Sequence, residues 1–276
     1  MYVLGIVGSS DAGKTTLVER FAERLGARGR VATVKHLNEP PAVDATGTDA
    51  DGHRDVGVDA TYGITDDGGW FATGEDRALE DVLADLAPEY DYALVEGFDD
   101  ARIPQVVLGE RDHGGPALAE SPDAAAVDVD GVLEALEATE PHVTLETLVS
   151  RVKRSPRADR AGAIATFTGR VRERDSADDA PTEALEFETY EGVADRRLNA
   201  LREELESRDG VYEVRMHHRT GVIETGEDIV FVVVLAGHRG EAFRTVEDGI
   251  DRLKEEVPIF KKEVTTDEEF WVHTRN

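Results

Sequence analysis

The chain has 276 residues, enough for two domains that each bury a core, and its 59 acidic against 31 basic side chains give a formal charge of −28. This acid excess argues against non-specific binding to a nucleic acid backbone, because polyanions repel one another. The absence of cysteine excludes disulfides, thiolate metal sites and a cysteine nucleophile or persulfide on this chain.

The composition also indicates a compartment. Acidic residues are spread along the whole length and lysine is scarce, which is typical of a protein kept soluble in concentrated salt. No apolar run approaches the length of a membrane span, and the N-terminus lacks a basic region followed by an apolar stretch. We therefore expect a halophilic cytoplasmic protein with neither a membrane nor a nucleic-acid partner.

A phosphate-binding loop is predicted near the N-terminus. Residues 2–7 form a short apolar run that predicts a buried strand, and residues 8–16, GSSDAGKTT, fit the pattern G-x-x-x-x-G-K-[ST]. An amphipathic helix follows, so strand, loop and helix stand in the order that a P-loop requires. A glycine turn that merely joins strand and helix is the alternative. The predicted nucleotide-binding residues of the loop are Gly8, Ser9, Ser10, Asp11, Ala12, Gly13, Lys14, Thr15 and Thr16.

The chemistry of such a loop follows from its backbone. Its N–H groups and the helix N-terminus cradle phosphates, Lys14 reaches the terminal phosphates, and the hydroxyl of Thr15 is a predicted Mg²⁺ ligand. A second strand is predicted at residues 31–35. Residues 38–60 form a long polar loop, in which His53 and Arg54 either close over a ligand or belong to a solvated acidic surface.

A carboxylate at a strand end completes the predicted nucleotide site. After a helix at residues 77–87, residues 91–98 predict a buried strand that carries Glu96 near its C-terminal end, where P-loop enzymes place an acid that holds Mg²⁺. An ordinary strand-ending turn is the alternative for Glu96. With further strands predicted at 105–108 and 124–127, this half is an α/β P-loop domain with a mostly parallel sheet and helices on both faces.

These motifs resemble a known family. The GSSDAGKTT loop, the VKH strand end, the polar GTD and HRDVG segments and YALVEGF followed by IPQVVL are similar to MobB, the P-loop adaptor of molybdopterin guanine dinucleotide biosynthesis. The resemblance covers residues 1–138. It implies binding of GTP with Mg²⁺, dimerisation and at most weak GTPase activity. The chain lacks an N-K-x-D motif, so a preference for GTP over ATP does not follow from the residues.

The second half has a different pattern, typical of an α+β domain. A helix at 132–138 leads into a junction at 139–142, which sets the predicted domains at 1–138 and 142–276. The predicted elements that follow are strands at 162–172, 185–190, 211–217 and 229–235 and helices at 192–207 and 241–256.

A cluster of lysines near the C-terminus predicts acid/base chemistry. Apolar residues at three- and four-residue steps predict the helix at 241–256, and Pro258 ends it, so Lys254 lies in its last turn and Lys261 on an extended segment beyond. In a chain that uses arginine almost everywhere else, this clustering favours amines whose pKa falls on burial. The alternative is that Lys254 only complements the helix C-terminus and Lys262 snorkels past apolar neighbours.

Basic residues at strand ends suit a small anionic ligand. Arg170 and Arg172 lie at the end of one predicted strand, His218 and Arg219 follow a second, and His238 and Arg239 follow a third. Arginine forks and ammonium groups together favour a phosphate ester. Pairing with the surplus of surface acids is the alternative for each arginine.

These residues carry a second resemblance. GAIATFTGRVR, LEFETYEGVA, HHRTGVIETGE, VVLAGHRGEAF, LKEEVPIFKKE and FWV, in this order across residues 142–276, are similar to MoaE, the catalytic subunit of molybdopterin synthase. The resemblance implies conversion of cyclic pyranopterin monophosphate to molybdopterin, with sulfur from the C-terminal thiocarboxylate of a MoaD-like, ubiquitin-like carrier. It implies no cofactor for sulfur transfer and a homodimer. Phe260 stands where the family often has tryptophan, and Arg170 where lysine is common.

The resemblance also implies roles for single residues. Lys254 and Lys261 would be catalytic. The substrate-binding residues would be Arg170, Val171, Arg172, His238, Arg239, Lys262 and Glu263.

We therefore predict a bifunctional enzyme of molybdenum cofactor synthesis, in which a nucleotide-binding half is fused to a sulfurtransferase half. A P-loop GTPase adaptor whose second half is a non-catalytic docking module is the alternative. A P-loop half that binds nucleotide without turnover is a further possibility.

Overall fold

The structure, a computed structural model, describes residues 1–9, 11–38, 58–174, 176, 180–190, 192–266 and 269–272. Ser10 and the segment 39–57, which holds the predicted ligand-closing residues His53 and Arg54, lie outside the described residues. The chain divides into two compact units, Met1–His142 and Val143–Asn276.

The first unit is built on a parallel sheet, as the sequence predicts. Its five strands stand in the order β2-β5-β1-β6-β7, and every neighbouring pair is parallel. A separate antiparallel hairpin pairs β3 with β4. The strands are β1 (Tyr2–Gly8), β2 (Val31–Lys35), β3 (Ala60–Ile64), β4 (Trp70–Gly74), β5 (Tyr92–Glu96), β6 (Gln105–Leu108) and β7 (Ala117–Ser121).

Helices cover both faces of this sheet, since successive side chains of a buried strand point to opposite sides. Leu4 and Ile6 of β1 share a core with α1 (Lys14–Gly26) and α3 (Val129–Glu137). Val3, on the other face, packs with α2 (Leu79–Leu86). The P-loop therefore lies at the C-terminal edge of a sheet that is buried on both sides.

One predicted strand is wrong. Residues 124–127 do not extend the sheet; Ala124–Ala126 form a 3₁₀ helix instead. The Asp123 side chain accepts hydrogen bonds from the N–H groups of Ala125 and Ala126, at 2.9 and 3.1 Å, and this local capping competes with strand pairing. The edge strand is β7, whose half-exposed sequence ALAES lacks the apolar run that predicts a strand.

The second unit is α+β, also as predicted. One antiparallel sheet has the order β10-β12-β8 and another the order β11-β9-β13-β14. The strands are β8 (Ala163–Arg170), β9 (Thr182–Thr189), β10 (Val211–His218), β11 (Gly221–Glu224), β12 (Asp228–Ala236), β13 (Ile259–Thr265) and β14 (Glu269–Val272). The helices are α4 (Leu145–Lys153), α5 (Val193–Glu206) and α6 (Arg239–Glu256).

The helix α4 was not among the predicted elements. Its start is capped by Thr144, whose hydroxyl oxygen accepts a hydrogen bond from the N–H of Thr147 at 3.1 Å. None of the helices in the described ranges combines the length and the apolarity that crossing a bilayer requires.

The end of α6 and the start of β13 determine where the C-terminal lysines lie. Ala242, Ile250 and Leu253 are buried on one face of α6, which ends at Val257. Val257 has the extended dihedrals φ −89° and ψ 122°, as expected for a residue before a proline. The chain then enters β13, which pairs with β9 on one side and β14 on the other.

Candidate functional sites

A cavity of about 1280 Å³ lies in the second unit, lined by parts of β8, β9, β10, α6 and β13. The last turn of α6 and the strand β13 converge on it, which is the geometry that the helix pattern and Pro258 predict. The structure brings together five of the predicted site residues at its wall, namely Arg170, Arg172, Lys254, Lys261 and Glu263.

Strand alternation separates the two neighbouring lysines of β13. Lys261 and Glu263 line the cavity, with Lys261 Nζ 3.8 Å from Glu263 Oε2. Lys262 does not line it, and its Nζ lies 2.6 Å from Glu269 and 3.5 Å from Glu186. The hydrogen bond to Glu269, with the charges of both carboxylates, raises the pKa of Lys262 above its ordinary value. Lys262 is therefore held as a protonated partner in a surface ion pair.

The cavity wall is richer in positive charge than the chain as a whole. Arg170, at the end of β8, lies 3.2 Å from Asp228 Oδ1 and also donates to the carbonyl of Gly226. Four cationic and three anionic side chains line the cavity, in a chain whose net charge is −28. The site thus attracts a small anion in a protein that otherwise repels anions. These side chains are Arg170, Arg172, Lys254 and Lys261, and Asp251, Glu255 and Glu263.

The expectation of a desolvated position is wrong for Lys254 in the single chain. The Lys254 side chain is exposed to solvent, whereas the Lys261 side chain is about two-thirds buried, with 34% of its surface exposed. The reason is helical geometry: Leu253 occupies the buried face of α6, and the next residue is rotated by about 100° away from it.

The remaining predicted residues of this half lie elsewhere. Val171 is buried, with only 3% of its surface exposed, and its backbone bonds to Glu227 and Gly226 hold the turn that follows β8. His238 occupies the N-cap position of α6, without a capping hydrogen bond from its side chain, and Arg239 is the first residue of that helix. Fifteen residues separate Arg239 from Lys254 along α6, which is about 22 Å. Within one chain, Arg239 and Lys254 are therefore too far apart to contact the same small ligand.

The cavity also contains His218, which was absent from the predicted site residues. His218 ends β10, and its ring lies edge-on to Phe187 with 4.8 Å between centroids. Its Nδ1 lies 2.7 Å from the carbonyl oxygen of Arg219; a carbonyl only accepts, so Nδ1 carries a proton. Burial lowers the pKa of His218 below its ordinary value, against the opposing effect of that hydrogen bond. The strand-end pair His218 and Arg219 was the signal available in the sequence.

The lowered pKa of His218 predicts a pH dependence of stability. Between the unfolded pKa of about 6.5 and the lower folded pKa, the unfolded chain binds more protons than the folded chain. The free energy of unfolding should therefore be highest above pH 6.5 and fall as the pH drops through the folded pKa. Denaturant unfolding of the wild type and of His218→Gln between pH 5 and 8, in concentrated KCl, measures this effect.

We expect His218→Gln to flatten the slope of stability against pH. His238→Gln, a substitution at an exposed histidine of the same unit, is the matched control and should keep the wild-type slope. An unchanged slope in His218→Gln would contradict the assignment.

The described residues of the predicted P-loop in the first unit form a tight turn. Gly13, which precedes α1, has φ 85° and ψ 22°, and a Cβ there would come within 2.9 Å of Ala124 Cβ. Lys14 Nζ donates to the carbonyls of Gly8 and Ser9, at 2.7 and 2.6 Å. The described residues of the loop thus curve around Lys14, and loops of this kind commonly bind anions through their backbone N–H groups.

The other loop residues complete this turn. The N–H of Ala12 donates to the carbonyl of Ser9 at 3.2 Å, and the carbonyl of Ala12 accepts from Ala124 at 3.2 Å. Asp11 and Thr16 are exposed beside the loop.

Thr15 and Glu96, the two predicted Mg²⁺ ligands, are in contact with each other next to the loop. Thr15 Oγ1 donates to Glu96 Oε1 at 3.1 Å, and Glu96 is buried at the end of β5. The ammonium of Lys35, at the end of β2, lies 2.9 Å from Glu96 Oε1 and 3.3 Å from Thr15 Oγ1. Oxygen ligands of this kind, one or two from the protein and the rest from phosphate and water, suit Mg²⁺.

No cluster in the described part of the chain offers the three His, Cys, Asp or Glu side chains that could hold a metal ion without such help. A Mg²⁺ ion at Thr15 and Glu96 would therefore need a bound phosphate to complete its coordination.

In a comparison with known proteins, the two halves of the chain match two different protein families. The model of the MoaE protein family matches residues 138–256, and that of molybdopterin guanine dinucleotide synthesis protein B matches residues 3–130. A probable molybdopterin synthase of Haloferax volcanii is 59% identical over 275 residues, which cover 100% of both chains.

Shorter relatives match only part of the chain. The molybdopterin synthase catalytic subunit of Yersinia pestis is 37% identical over 43% of this chain and 77% of its own length. That of Bacillus subtilis is 35% identical over 51% of this chain and 85% of its own length. Both resemblances inferred from the motifs are confirmed, and the chain belongs to the molybdopterin synthase family.

Proposed function

We propose that the second unit is the catalytic subunit of a molybdopterin synthase. It transfers sulfur from the thiocarboxylate of a ubiquitin-like carrier protein to cyclic pyranopterin monophosphate. The observation that supports this most is the cavity at which two lysines, from α6 and β13, meet two arginines in a strongly acidic chain. The sulfur must come from outside, because the chain contains no cysteine.

In this proposal the arginines bind and the lysines move protons. Arg170 and Arg172 hold the substrate's phosphate, for which the arginine fork is well shaped. The carrier's thiocarboxylate sulfur forms a bond to a side-chain carbon of the pyranopterin while a carbon–oxygen bond of that carbon breaks, and the departing oxygen keeps the bonding electron pair and takes up a proton or stays on the phosphate. The sulfur remains bound to the carrier's acyl group. Water then cleaves this thioester, which leaves the sulfur on the pterin and returns the carrier as a carboxylate. Lys254 and Lys261 supply and accept the protons of ring opening and hydrolysis.

His238 and Arg239 would bind substrate in the cavity of a second copy of the chain. They lie about 22 Å from Lys254 along α6, too far to contact the same small substrate. A homodimer in which each copy presents its α6 N-terminus to the partner's cavity would complete the site with substrate-binding groups. Such a dimer would also cover Lys254, which is exposed in the single chain.

The first unit, in this proposal, binds GTP for the synthesis of molybdopterin guanine dinucleotide. Its loop holds the phosphates, Lys14 contacts the terminal phosphates, and Thr15 and Glu96 hold Mg²⁺. When bound, the ion neutralises charge that develops on the phosphates. Hydrolysis of GTP by this unit is weak and secondary to binding.

A direct assay tests the sulfurtransferase. The protein, in molar KCl to match the salt-rich cytoplasm that its acidic composition suits, is incubated with cyclic pyranopterin monophosphate and a thiocarboxylated ubiquitin-like carrier. Formation of molybdopterin, absent when the carrier ends in an ordinary carboxylate, supports the proposal. No product with a competent carrier at saturation would leave the second unit as a docking module.

The two units should also be separable. Each has its own buried core, so a fragment of residues 142–276 should fold alone in high salt, form dimers and make molybdopterin at close to the rate of the whole chain. Circular dichroism, light scattering and the product assay measure these three properties. A folded fragment that stays inactive until residues 1–141 are added back would contradict the proposed domain assignment.

A further inference from the structure

One basic residue near the P-loop has no role in the proposed nucleotide site. Lys35 ends β2, and β2 pairs with β5 in a register that places Lys35 opposite Glu96. Its side chain is 51% exposed, whereas that of Glu96 is 10% exposed. A half-exposed cation thus reaches in to a buried carboxylate at the sheet edge where the phosphates are expected to bind.

Lys35 contacts the two oxygen atoms, on Glu96 and Thr15, that are the proposed ligands of Mg²⁺. Its Nζ lies 2.9 Å from Glu96 Oε1 and 3.3 Å from Thr15 Oγ1, and these two oxygens are themselves 3.1 Å apart. Mg²⁺ binds oxygen at about 2.0–2.1 Å in a near-ideal octahedron. An ammonium that contacts both oxygens and a Mg²⁺ ion beside them would repel each other strongly, since a single and a double positive charge would lie only a few ångströms apart.

We propose that Lys35 takes the place of the metal in the metal-free P-loop and must leave Thr15 and Glu96 when Mg²⁺ binds with nucleotide. The ammonium offsets the charge of buried Glu96 and keeps its carboxylate beside the Thr15 hydroxyl. Displacing it costs free energy, so Lys35 raises the Mg²⁺ concentration that the nucleotide complex requires. This inference rests on the proposed nucleotide binding by the first unit.

The test is a Mg²⁺ titration of the full chain with nucleotide at saturation. Binding of fluorescent GTP and ATP analogues is followed in KCl buffer as MgCl₂ is raised from a chelator-buffered zero. In Lys35→Met and Lys35→Gln we expect the Mg²⁺ concentration at half-maximal signal to fall about two- to fivefold, because an ion pair with a half-exposed lysine contributes up to about 1 kcal/mol. Two neutral variants are used so that a defect of one side chain does not decide the result.

Arg24→Met is the matched control. It removes the same charge from the same unit, at an exposed ion pair with Asp130 whose side chains are 61% and 57% exposed. It therefore reports the general attraction of Mg²⁺ to a more acidic protein, and its half-maximal Mg²⁺ concentration should stay near that of the wild type.

The outcomes are distinguishable. Lys35 variants that need as much Mg²⁺ as the wild type, or more, overturn the inference about Lys35 while nucleotide binding itself stands. An equal shift in Arg24→Met overturns it as well, because the effect would then be one of net charge. A wild type that binds neither nucleotide at any Mg²⁺ concentration overturns both the inference and the proposed function of the first unit.

Discussion

Lys261→Ala should lower the rate of molybdopterin formation by roughly 10²- to 10⁴-fold, the usual contribution of a positioned acid/base group. The structure supports this expectation, because Lys261 lies on the cavity face of β13 beside Glu263, with its side chain two-thirds buried. Glu263 is fixed in turn by the hydroxyl of Thr182, which donates to it at 2.6 Å. Lys254→Ala should have a comparable effect. Initial rates are measured with carrier and substrate at saturation.

Lys262→Ala is the matched control for this experiment. It removes the same side chain one position along the same strand, but on the face where Glu186 and Glu269 hold the ammonium. Its rate should fall much less than that of Lys261→Ala, and unfolding curves of the two variants should agree within about 1 kcal/mol. Wild-type rates in both Lys261→Ala and Lys254→Ala would rule out their proposed catalytic roles.

Lys14→Ala should weaken nucleotide binding by roughly 10- to 150-fold, because hydrogen bonds to a charged group contribute about 1.5–3 kcal/mol. In the described part of the chain, the Lys14 ammonium donates hydrogen bonds to two carbonyl oxygens of its own loop, those of Gly8 and Ser9. Incoming phosphates would compete with these carbonyls for the ammonium. Equilibrium titration with fluorescent GTP and ATP analogues gives the two dissociation constants.

The same variant should leave sulfur transfer unchanged, since Lys14 belongs to the other compact unit. Arg24→Ala, which removes an exposed cation of α1, serves as the control for a general loss of charge. Nucleotide affinity equal to that of the wild type in Lys14→Ala would contradict the P-loop interpretation.

Local patterns predicted the parts of the fold that depend on neighbouring residues. The apolar spacing of α6 and the proline at 258 were sufficient to place Lys254 in a helical turn and Lys261 on a strand. Single side chains cap the elements that were predicted wrongly. Asp123 caps a 3₁₀ helix where a strand was predicted at residues 124–127, and Thr144 caps α4, which was not predicted.

The parts of the sites that depend on strand pairing could not be predicted in this way. His218 reaches the cavity because β10, β12 and β8 assemble across a long stretch of chain. The contact of Lys35 with Glu96 follows from the register between β2 and β5, which lie 61 residues apart at these positions. Lys261 and Lys262, in contrast, point to opposite faces of β13 because successive side chains of a strand alternate, and this difference can be predicted from the sequence.

Two compact units on one polypeptide also fix a stoichiometry. Every chain that the ribosome completes carries one P-loop and one sulfur-transfer cavity, so the ratio of the two is one to one whatever the level of expression. Dilution cannot separate them, and a nonsense mutation early in the gene removes both. Variation in transcript level would then change the total capacity of the two activities without changing the balance between them.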